Sequence, residues 1–273
     1  MSERRGMIGG VTSDDANAVF EAVRRRVLSR EYLDSMLGLP GMDTAGGGAF
    51  QMTGDGRLQR IYWRGSPEYR AARASGGIQL LPPLAPASAE VLARCEELIG
   101  HALPPLLRRC YLELGDGGFG PGYGLLAAAD PDAPQRTLGT EFASQERWPE
   151  PWRPMARRLV PLCTWGCGIE SFVDCADPDA RMWALDPNPA PAEDFAASLF
   201  PQEFGLTEWL RRWTEGRLHQ PWLMRDAATG RWRGAADADY EPMETPATHA
   251  RAWQTPLSVD VPGEGGCLDD PPF

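Results

Sequence analysis

Lysine is absent from this sequence, and all 27 of its basic residues are arginine. The absence excludes several reaction classes at once: a P-loop phosphate cradle, the ATP-binding lysine of a kinase, a pyridoxal-phosphate Schiff base and a Ser-x-x-Lys acylation site. A GC-rich genome, which favours arginine, alanine, glycine and proline codons, accounts for the bias. The exclusion holds whatever the origin of the bias.

Long apolar runs are missing as well. No stretch approaches the roughly 18 to 20 apolar residues of a membrane-spanning helix, so we expect no membrane partner. Residues 1–15, charged and then polar, lack the apolar core of a secretory signal, which favours a cytoplasmic protein. A chain of 273 residues that is 42% hydrophobic is still long enough for one large domain, or for a medium domain with extensions.

Residues that catalyse reactions or bind metals are few. The three histidines stand near no candidate nucleophile, and neither Gly-x-Ser-x-Gly nor His-Glu-x-x-His occurs. Among the six cysteines, Cys163, Cys167 and Cys175 lack the paired Cys-x-x-Cys spacing of structural zinc. Buried, reduced thiols are the favoured interpretation, and we predict neither a cofactor nor a metal.

Acidic residues outnumber basic ones. The net charge of −11 argues against direct binding to nucleic acid, which needs a basic surface. The sign suits a protein that covers the basic cleft of a nuclease, although solubility is the commoner reason for such a charge. From Ala235 onward, eight acidic residues stand against one arginine, and proline, alanine and glycine fill much of the rest. We therefore expect weak order in this tail.

Hydrophobic periodicity divides the chain into three parts. Residues 1–77 form an extension that contains a predicted helix over 13–38 and a hairpin over 50–63 with Gly-Asp-Gly at its turn. This extension is either packed on the rest of the chain or a small separate module. Residues 78–234 form the main predicted domain, and residues 235–273 form the acidic, proline-rich tail.

The main domain begins with helices and continues with strands. A helix capped by Ser88, with Leu98 among its inward residues, ends at Gly100. The later pattern predicts a helix over 206–216. Strands are predicted over 122–126, 158–166, 170–175 and 181–186. A run of helices followed by a run of strands is typical of an α+β fold, and the long connection over 130–154 is of a kind that is often functional or mobile.

The segment from Leu103 to Leu126 carries most of the functional information. Leucine, cysteine and tyrosine recur at three- and four-residue spacing up to Leu114, which predicts an amphipathic helix. Six glycines then fall within ten residues, with Gly115 in the position of a left-handed helix cap. The Gly-x-Gly-x-x-Gly spacing that starts at Gly115 does not indicate a dinucleotide site, because a helix precedes the glycines where that site needs a strand.

Several motifs resemble the SUKH superfamily, which includes the fungal Smi/Knr cell-wall regulators and many bacterial immunity proteins of polymorphic toxin systems. The family typically carries a helix beginning with Leu-Pro, an Asn/Asp-Gly-Gly-Phe-Gly-Pro-Gly turn and a strand, which residues 103–126 resemble. Residues 158–168 look like its strand ending in Trp-Gly, and residues 171–175 like the strand after it. Residues 199–210 are similar to its C-terminal helix, and residues 226–234 to its closing hairpin.

This resemblance covers about residues 80–234 and implies both a fold and a function. The fold would be α+β, with N-terminal helices packed on a mostly antiparallel sheet, followed by a C-terminal helix and hairpin. The function would be that of an immunity protein, which binds a cognate protein toxin, a basic one such as a nuclease, and blocks it without chemistry. The alternatives are a protein-binding scaffold or regulatory module of the Smi/Knr type, and an enzyme of unrecognised type. The oligomeric state stays open.

The predicted partner-binding or scaffold residues come from these motifs. They are Gly117, Gly118, Phe119, Gly120, Pro121, Tyr123, Trp165, Gly166, Glu170 and Asp174. Strand alternation places Glu170 and Asp174 on one face, which is ordinarily solvated. With Asp186, they also offer an alternative acid/base pair. Core packing and partner contact both stay open for Trp165 and for the glycine turn.

Overall fold

A computed structural model describes residues 13–28, 83–122, 124–128 and 136–240, together with the backbone of three further strands, β1, β2 and β9 below. The helices are α1 (Ser13–Leu28), α2 (Ala89–Ile99), α3 (Pro105–Glu113), α4 (Leu138–Ser144), α5 (Arg153–Ala156), α6 (Leu206–Thr214) and α7 (Asp237–Tyr240). The strands are β1 (Gly48–Met52), β2 (Leu58–Tyr62), β3 (Leu159–Gly166), β4 (Ile169–Asp174), β5 (Arg181–Leu185), β6 (Leu199–Gly205), β7 (Leu223–Arg225), β8 (Trp232–Gly234) and β9 (Leu257–Asp260). Short 3-10 turns lie at Gln145–Arg147, Glu150–Trp152 and Ala192–Ser198. None of the described helices is long and apolar enough to cross a bilayer.

The centre of the fold is a four-stranded antiparallel sheet in the order β3-β4-β5-β6. Because helices pack against this sheet, the protein has an α+β fold, which confirms the predicted class. Both faces of β4 are covered. Ile169 and Val173 belong to the principal core, whereas Phe172 belongs to a second, smaller cluster on the opposite face.

Helices α2 and α3 form as the sequence predicts. Ser88 caps α2 by accepting a hydrogen bond from the Val91 N–H at 3.2 Å, and Gly100 ends it in the left-handed conformation at φ +76°. The apolar stripe predicted over residues 103–114, which contain α3, is buried at all of its positions: Leu103, Leu106, Leu107, Cys110, Tyr111 and Leu114. One inward prediction for α2 is wrong. Leu98 is 47% exposed, and its side chain lies at the margin of the core, against Gly139 of α4.

Helix α1 belongs to the N-terminal extension, yet it packs into the principal core. Its buried residues are Val19, Phe20, Val23 and Val27. The guanidinium of Arg26 lies 4.1 Å from the centre of the Trp213 ring on α6, and Arg211 of α6 pairs with Asp15 at 2.5 Å. The helix predicted over 13–38 is thus present over Ser13–Leu28, and its remainder lies outside the described residues.

The connection predicted over residues 130–154 is not a bare loop. It contains the capped helix α4 and two 3-10 turns. Trp148 and Trp152 of this segment pack edge-on, with ring centres 5.7 Å apart, and Trp148 packs edge-on against Phe172 of β4. The proline-rich composition therefore concealed the segment that covers the second face of the sheet.

The strand predicted over residues 122–126 is wrong, and the fourth strand of the sheet is β6. Gly122 and Gly124 have φ angles of +60° and +91°, left-handed values that interrupt an extended strand. β6 occupies the first part of the segment that resembles the family's C-terminal helix. Pro201 is tolerated in β6 because this strand lies at the edge of the four-stranded sheet, where one side of the backbone needs no ladder partner.

Both predicted hairpins are confirmed. β1 pairs antiparallel with β2, from Gly48 opposite Tyr62 to Met52 opposite Leu58, and β7 pairs antiparallel with β8. β2 also pairs with β9, which comes from the acidic tail. At β9 and α7 the tail has regular backbone structure that its composition does not predict, and its other residues beyond Tyr240 lie outside the described part.

Candidate functional site

The glycine turn, residues 115–124, begins with a close contact rather than a left-handed cap. Helix α3 ends at Glu113 with Leu114 as its C-cap residue, and Gly115 does not have a positive φ, so the predicted cap is wrong. A Cβ on Gly115 would lie 2.8 Å from the Cβ of Leu84. Glycine is required here because Leu84 leaves no space for a side chain, and not because of the backbone angle.

Hydrogen bonds hold the rest of the turn in place. Left-handed φ angles occur at Gly117, Gly118, Gly120, Gly122 and Gly124. The Gly118 N–H donates to the Leu125 carbonyl at 2.8 Å, and the Leu125 N–H donates to the Phe119 carbonyl at 2.7 Å. The Tyr111 hydroxyl donates to the Leu126 carbonyl at 2.6 Å. Because the Phe119 side chain is also fully buried, the turn is anchored to the core through its backbone and its aromatic ring.

Most of the site residues predicted in this turn lie inside the fold. Gly118 is exposed, and Tyr123 lies outside the described residues. The buried members are Gly117, Phe119, Gly120 and Pro121. Direct contact between this turn and a partner therefore stays a prediction, for which Gly118 is the accessible member among the described residues.

Trp165 and Gly166 end β3 next to this turn. Trp165 is 6% exposed, and its Nε1–H donates to Ser171 Oγ at 2.9 Å. Gly166 is half-buried and has a φ of +87°. A Cβ on Gly122 would lie 2.4 Å from the Thr164 carbonyl oxygen, so the turn and β3 are in direct backbone contact. In this arrangement Trp165 packs within the fold.

Glu170 lies in an ion-pair cluster with Arg136. The Arg136 guanidinium contacts the carboxylate of Glu170 at 2.5 Å and that of Glu141 at 2.7 Å. Burial raises the pKa of Glu170, and the hydrogen bond from Arg136 opposes that rise. One guanidinium thus bridges two carboxylates and reduces the repulsion between them.

Asp174 is bound to a different arginine. Arg158 donates to both carboxylate oxygens of Asp174, at 3.3 and 2.5 Å. Because Asp174 is only 2% exposed, the prediction that Glu170 and Asp174 share a solvated face is wrong. The physical reason is the residue between them, Phe172, whose ring centre lies 5.5 Å from that of Trp148 and brings the covering segment onto this face.

Asp186, the third carboxylate of the acid/base alternative, is fully buried. Its oxygens accept hydrogen bonds from the Asn188 N–H at 3.1 Å and from the Leu223 N–H at 2.9 Å. The carboxylates of Glu170, Asp174 and Asp186 therefore have three separate sets of partners. Each of the three carboxylates binds a different segment of the chain, and they do not come together as an acid/base pair.

Arg158→Gln should lower the free energy of unfolding by about 1–3 kcal/mol, because it leaves the nearly inaccessible carboxylate of Asp174 without its counter-charge. Urea denaturation at pH 7 measures the loss. The control is Arg157→Gln, since Arg157 is exposed and its side chain has no ion pair with a described residue. We expect that variant to change the free energy by less than about 0.5 kcal/mol. Equal losses in the two variants would contradict the role of the Asp174 pair.

A cleft that sequence reasoning missed lies between β6, the β7–β8 hairpin and α7. Its volume is about 490 Å³, within the roughly 300–1,000 Å³ that is typical of ligand sites. Its lining includes Arg181 from β5, Arg212 from α6 and Arg233 from β8. We call it the arginine cleft. Three guanidinium groups from separate elements thus converge on one concavity of an acidic protein.

Two of these arginines already bind carboxylates of α7. Arg212 contacts Asp237 at 2.8 Å and Glu208 of its own helix at 3.0 Å. Arg233 forms two hydrogen bonds with Asp239, at 2.6 and 2.9 Å. This paired geometry is the one in which a guanidinium binds a carboxylate most strongly. Helix α7 is therefore fastened to the cleft by its two aspartates.

The third arginine, Arg181, is differently placed. It is half-buried at the start of β5, opposite Gly205 of β6, and forms no ion pair or hydrogen bond with a described residue through its side chain. Gln202 of β6 also lines the cleft, and its Oε1 is buried without a hydrogen-bond partner among the described residues. Arg181 and Gln202, the residue that carries this buried acceptor, thus line the same cleft.

Aromatic side chains complete the walls. His219 and Tyr240 stack with ring centres 4.1 Å apart and planes 10° from parallel. The Tyr240 hydroxyl donates to the Gln220 carbonyl at 2.8 Å, and burial raises the pKa of Tyr240, so this hydroxyl stays neutral. The guanidinium carbon of Arg212 lies 4.4 Å from the centre of the Phe204 ring. The cleft therefore combines three arginines, two of which are paired with carboxylates, with apolar surface.

Little in the sequence signals this cleft. Arg181, Arg212 and Arg233 lie far apart in the chain, and only the sheet topology and the closing hairpin bring them together. The local signal is the alternation of Asp237 and Asp239, directly after an arginine-bearing hairpin. That signal lies in the tail for which the composition predicts weak order.

The pair of Arg233 and Asp239 should make stability depend on acidic pH. The hydrogen bond from Arg233, and then that from the Ala236 N–H, lower the pKa of Asp239 to about 2. Because this is below the value of about 3.9 in an unfolded chain, the carboxylate stabilises the fold above about pH 4 and loses that contribution as the pH falls through about 2. Asp239→Asn should therefore be less stable than the natural protein at neutral pH, and the difference should shrink steadily as the pH falls from about 4 to 2.

Urea denaturation at several pH values tests this prediction. Asp179→Asn is the matched control, because Asp179 is exposed and its carboxylate has no partner among the described residues. The control should follow the natural protein at every pH. If the deficit of Asp239→Asn stayed constant down to about pH 2, ionisation of this carboxylate would not be its cause.

Comparison with known proteins adds no relative. No protein-family model matches the chain, and neither a curated protein nor a solved structure does. Within the described part of the chain, no group of three or more histidine, cysteine, aspartate or glutamate side chains is placed to hold a metal ion. The functional assignment depends on the geometry of the cleft and on the motifs of the sequence.

Proposed function

We propose that this protein is a cytoplasmic immunity protein, which binds a cognate protein toxin and neutralises it by steric and electrostatic blocking. The motifs that resemble the SUKH superfamily support the proposal. The net charge of −11 supports it too, because it suits a basic toxin such as a nuclease. In this function the protein supplies binding and no reaction, and it contacts neither nucleic acid nor membrane directly.

The observation that carries the proposal is the arginine cleft. Arginine, tyrosine and tryptophan supply most of the binding energy at protein interfaces, usually from positions that neighbouring contacts shield from water. Here the half-buried Arg181 lies in a concave surface that is also lined by the His219–Tyr240 stack. Acidic side chains, Asp237 and Glu203, lie at the same cleft and are exposed. This is the composition expected of an anchor site with a charged rim.

The excess of acidic charge should act mainly on the rate of association. Opposite charges steer two proteins into contact, and dissolved salt screens that attraction. Raising the ionic strength from about 0.02 to 0.2 M should slow association with a basic toxin by about tenfold, with a smaller effect on dissociation. Surface plasmon resonance measures both rates, and an association rate independent of salt would contradict the electrostatic part of the proposal.

Affinity purification of the tagged full-length chain from its native cell, followed by mass spectrometry, identifies the partner. The expected result is one stoichiometric polypeptide that ends in a toxin domain. Co-expression of this protein with that polypeptide in a heterologous host should restore growth, and an unrelated protein of similar negative charge, used as a control, should not. Several housekeeping proteins without rescue would contradict immunity and favour the scaffold or regulatory module of the Smi/Knr type.

A further inference from the structure

We infer that the arginine cleft binds an extended peptide segment that carries a carboxylate side chain, with Arg181 as the residue that binds the carboxylate. The inference rests on the proposed function, since the segment belongs to the protein partner. It names the chemistry that the cleft recognises, which the net charge of the chain does not reveal.

The first argument comes from the arginines that are already occupied. Asp237 pairs with Arg212, and Asp239 pairs with Arg233 through two hydrogen bonds. Two guanidinium groups of the cleft therefore already bind carboxylates, and both carboxylates come from one short acidic segment, helix α7. Arg181 is the third arginine of the same lining and has no such partner among the described residues. A carboxylate supplied from outside completes the set.

The second argument distinguishes a peptide from a small anion. Gln202 lines the cleft, and its Oε1 is buried without a hydrogen-bond donor among the described residues, which is a costly state for a polar atom. Free acetate, which is fully ionised at neutral pH, offers Arg181 acceptor oxygens but supplies no N–H or O–H donor to Gln202. A peptide offers both groups, since its side-chain carboxylate accepts from Arg181 and, once the Gln202 amide turns toward the cleft, a backbone N–H donates to its Oε1.

The third argument is the shape and polarity of the walls. A volume of about 490 Å³ accommodates a few residues of an extended chain. The stacked rings of His219 and Tyr240 and the ring of Phe204 provide apolar surface for the residues that flank the carboxylate. An isolated anion would leave this surface unused.

A titration followed by nuclear magnetic resonance tests the inference without the toxin. The probe is the blocked peptide acetyl-Ala-Glu-Ala-Glu-Ala-amide, added to the full-length protein at low ionic strength, and its matched control has glutamine in place of both glutamates. We expect the glutamate peptide to shift the Arg181 Nε–H and Gln202 side-chain amide signals, and the glutamine peptide to bind at least about tenfold more weakly.

Two variants locate the binding. Arg181→Gln should weaken the glutamate peptide at least about tenfold, and it should fold normally because it breaks no ion pair with a described residue. Arg231→Gln is the matched control, since Arg231 is an exposed arginine of the β7–β8 hairpin that does not line the cleft. It should bind the peptide as the natural protein does. Equal affinity of Arg181→Gln and the natural protein, or equal binding of the two peptides, overturns the inference.

Inorganic phosphate is the competing ligand. If phosphate shifts the same signals and binds more tightly than the glutamate peptide, the cleft is a small-anion site and the peptide inference is wrong. If phosphate and free acetate both bind more weakly than the glutamate peptide, the peptide inference is supported, because neither small anion contacts the apolar walls formed by His219, Tyr240 and Phe204.

The growth-rescue assay separates this inference from the proposed function. If Arg181→Gln loses both the peptide and rescue, the partner uses the cleft. If Arg181→Gln loses the peptide but rescues fully, immunity stands and the assignment of the cleft to the partner is wrong. If the natural protein binds the peptide but rescues from no toxin, immunity is wrong and the carboxylate chemistry of the cleft stands.

Discussion

Gly122→Ala should lower the free energy of unfolding by about 2–5 kcal/mol, because the new methyl group meets the backbone of β3 and the residue must also keep a left-handed φ. An added Cβ would lie 2.4 Å from the Thr164 carbonyl oxygen and 3.3 Å from Cδ2 of Trp165. The φ of Gly122 is +60°. Neither the strand backbone nor the buried indole can move aside without disturbing the core, so the loss should exceed that of an ordinary surface substitution.

Gly100→Ala is the matched control for this prediction. Gly100 has a similar φ of +76°, but a Cβ there would have no atom within 4 Å. The control therefore keeps the backbone strain and removes the steric contact, and it should cost only about 1 kcal/mol. Urea denaturation of both variants separates the two contributions. If both variants lost the same amount, the glycine turn would be held by its backbone angles and its contact with β3 would be unimportant.

The parts of the fold that the sequence predicts correctly are those determined by near neighbours. Ser88 and Gly100 specify the two ends of α2 through groups a few residues away, and the stripe of α3 follows from helical periodicity. The same local rules failed where the chain departs from a regular period. Gly115 is a glycine because Leu84 approaches it from a distant position, a contact that no spacing within the turn indicates.

The environment of the candidate site residues was harder to predict than the fold, because it depends more on contacts between residues that are distant in the sequence. Alternation correctly places Glu170, Phe172 and Asp174 on one face of β4, but it does not reveal that Trp148, from the proline-rich connection, covers that face. The assumption of a solvated face then gave the wrong environment for both carboxylates. For the arginine cleft the difficulty is greater, because its residues come from four elements and the tail, and no local pattern connects them.

Phe20→Ala should lower the free energy of unfolding by about 3–5 kcal/mol and should leave a single cooperative transition. Phe20 is 1% exposed and belongs to the same core cluster as residues of α3 and α6. The guanidinium of Arg109 on α3 also lies 3.6 Å from the centre of its ring. Truncation therefore removes core packing between the N-terminal extension and the main domain, in addition to a cation–π contact.

Leu28→Ala, in the same helix, provides the control because Leu28 is 66% exposed. We expect it to change stability by less than about 0.5 kcal/mol. Urea denaturation followed by both tryptophan fluorescence and circular dichroism tests whether one transition is present. If Phe20→Ala cost as little as Leu28→Ala, or if an early transition appeared in circular dichroism alone, α1 would unfold independently of the main core. Helix α6, whose Trp213 ring lies under the guanidinium of Arg26, packs against α1 in the same core. A large loss of stability in one shared transition would therefore mean that α1 and the main domain unfold together and that the extension is part of the fold.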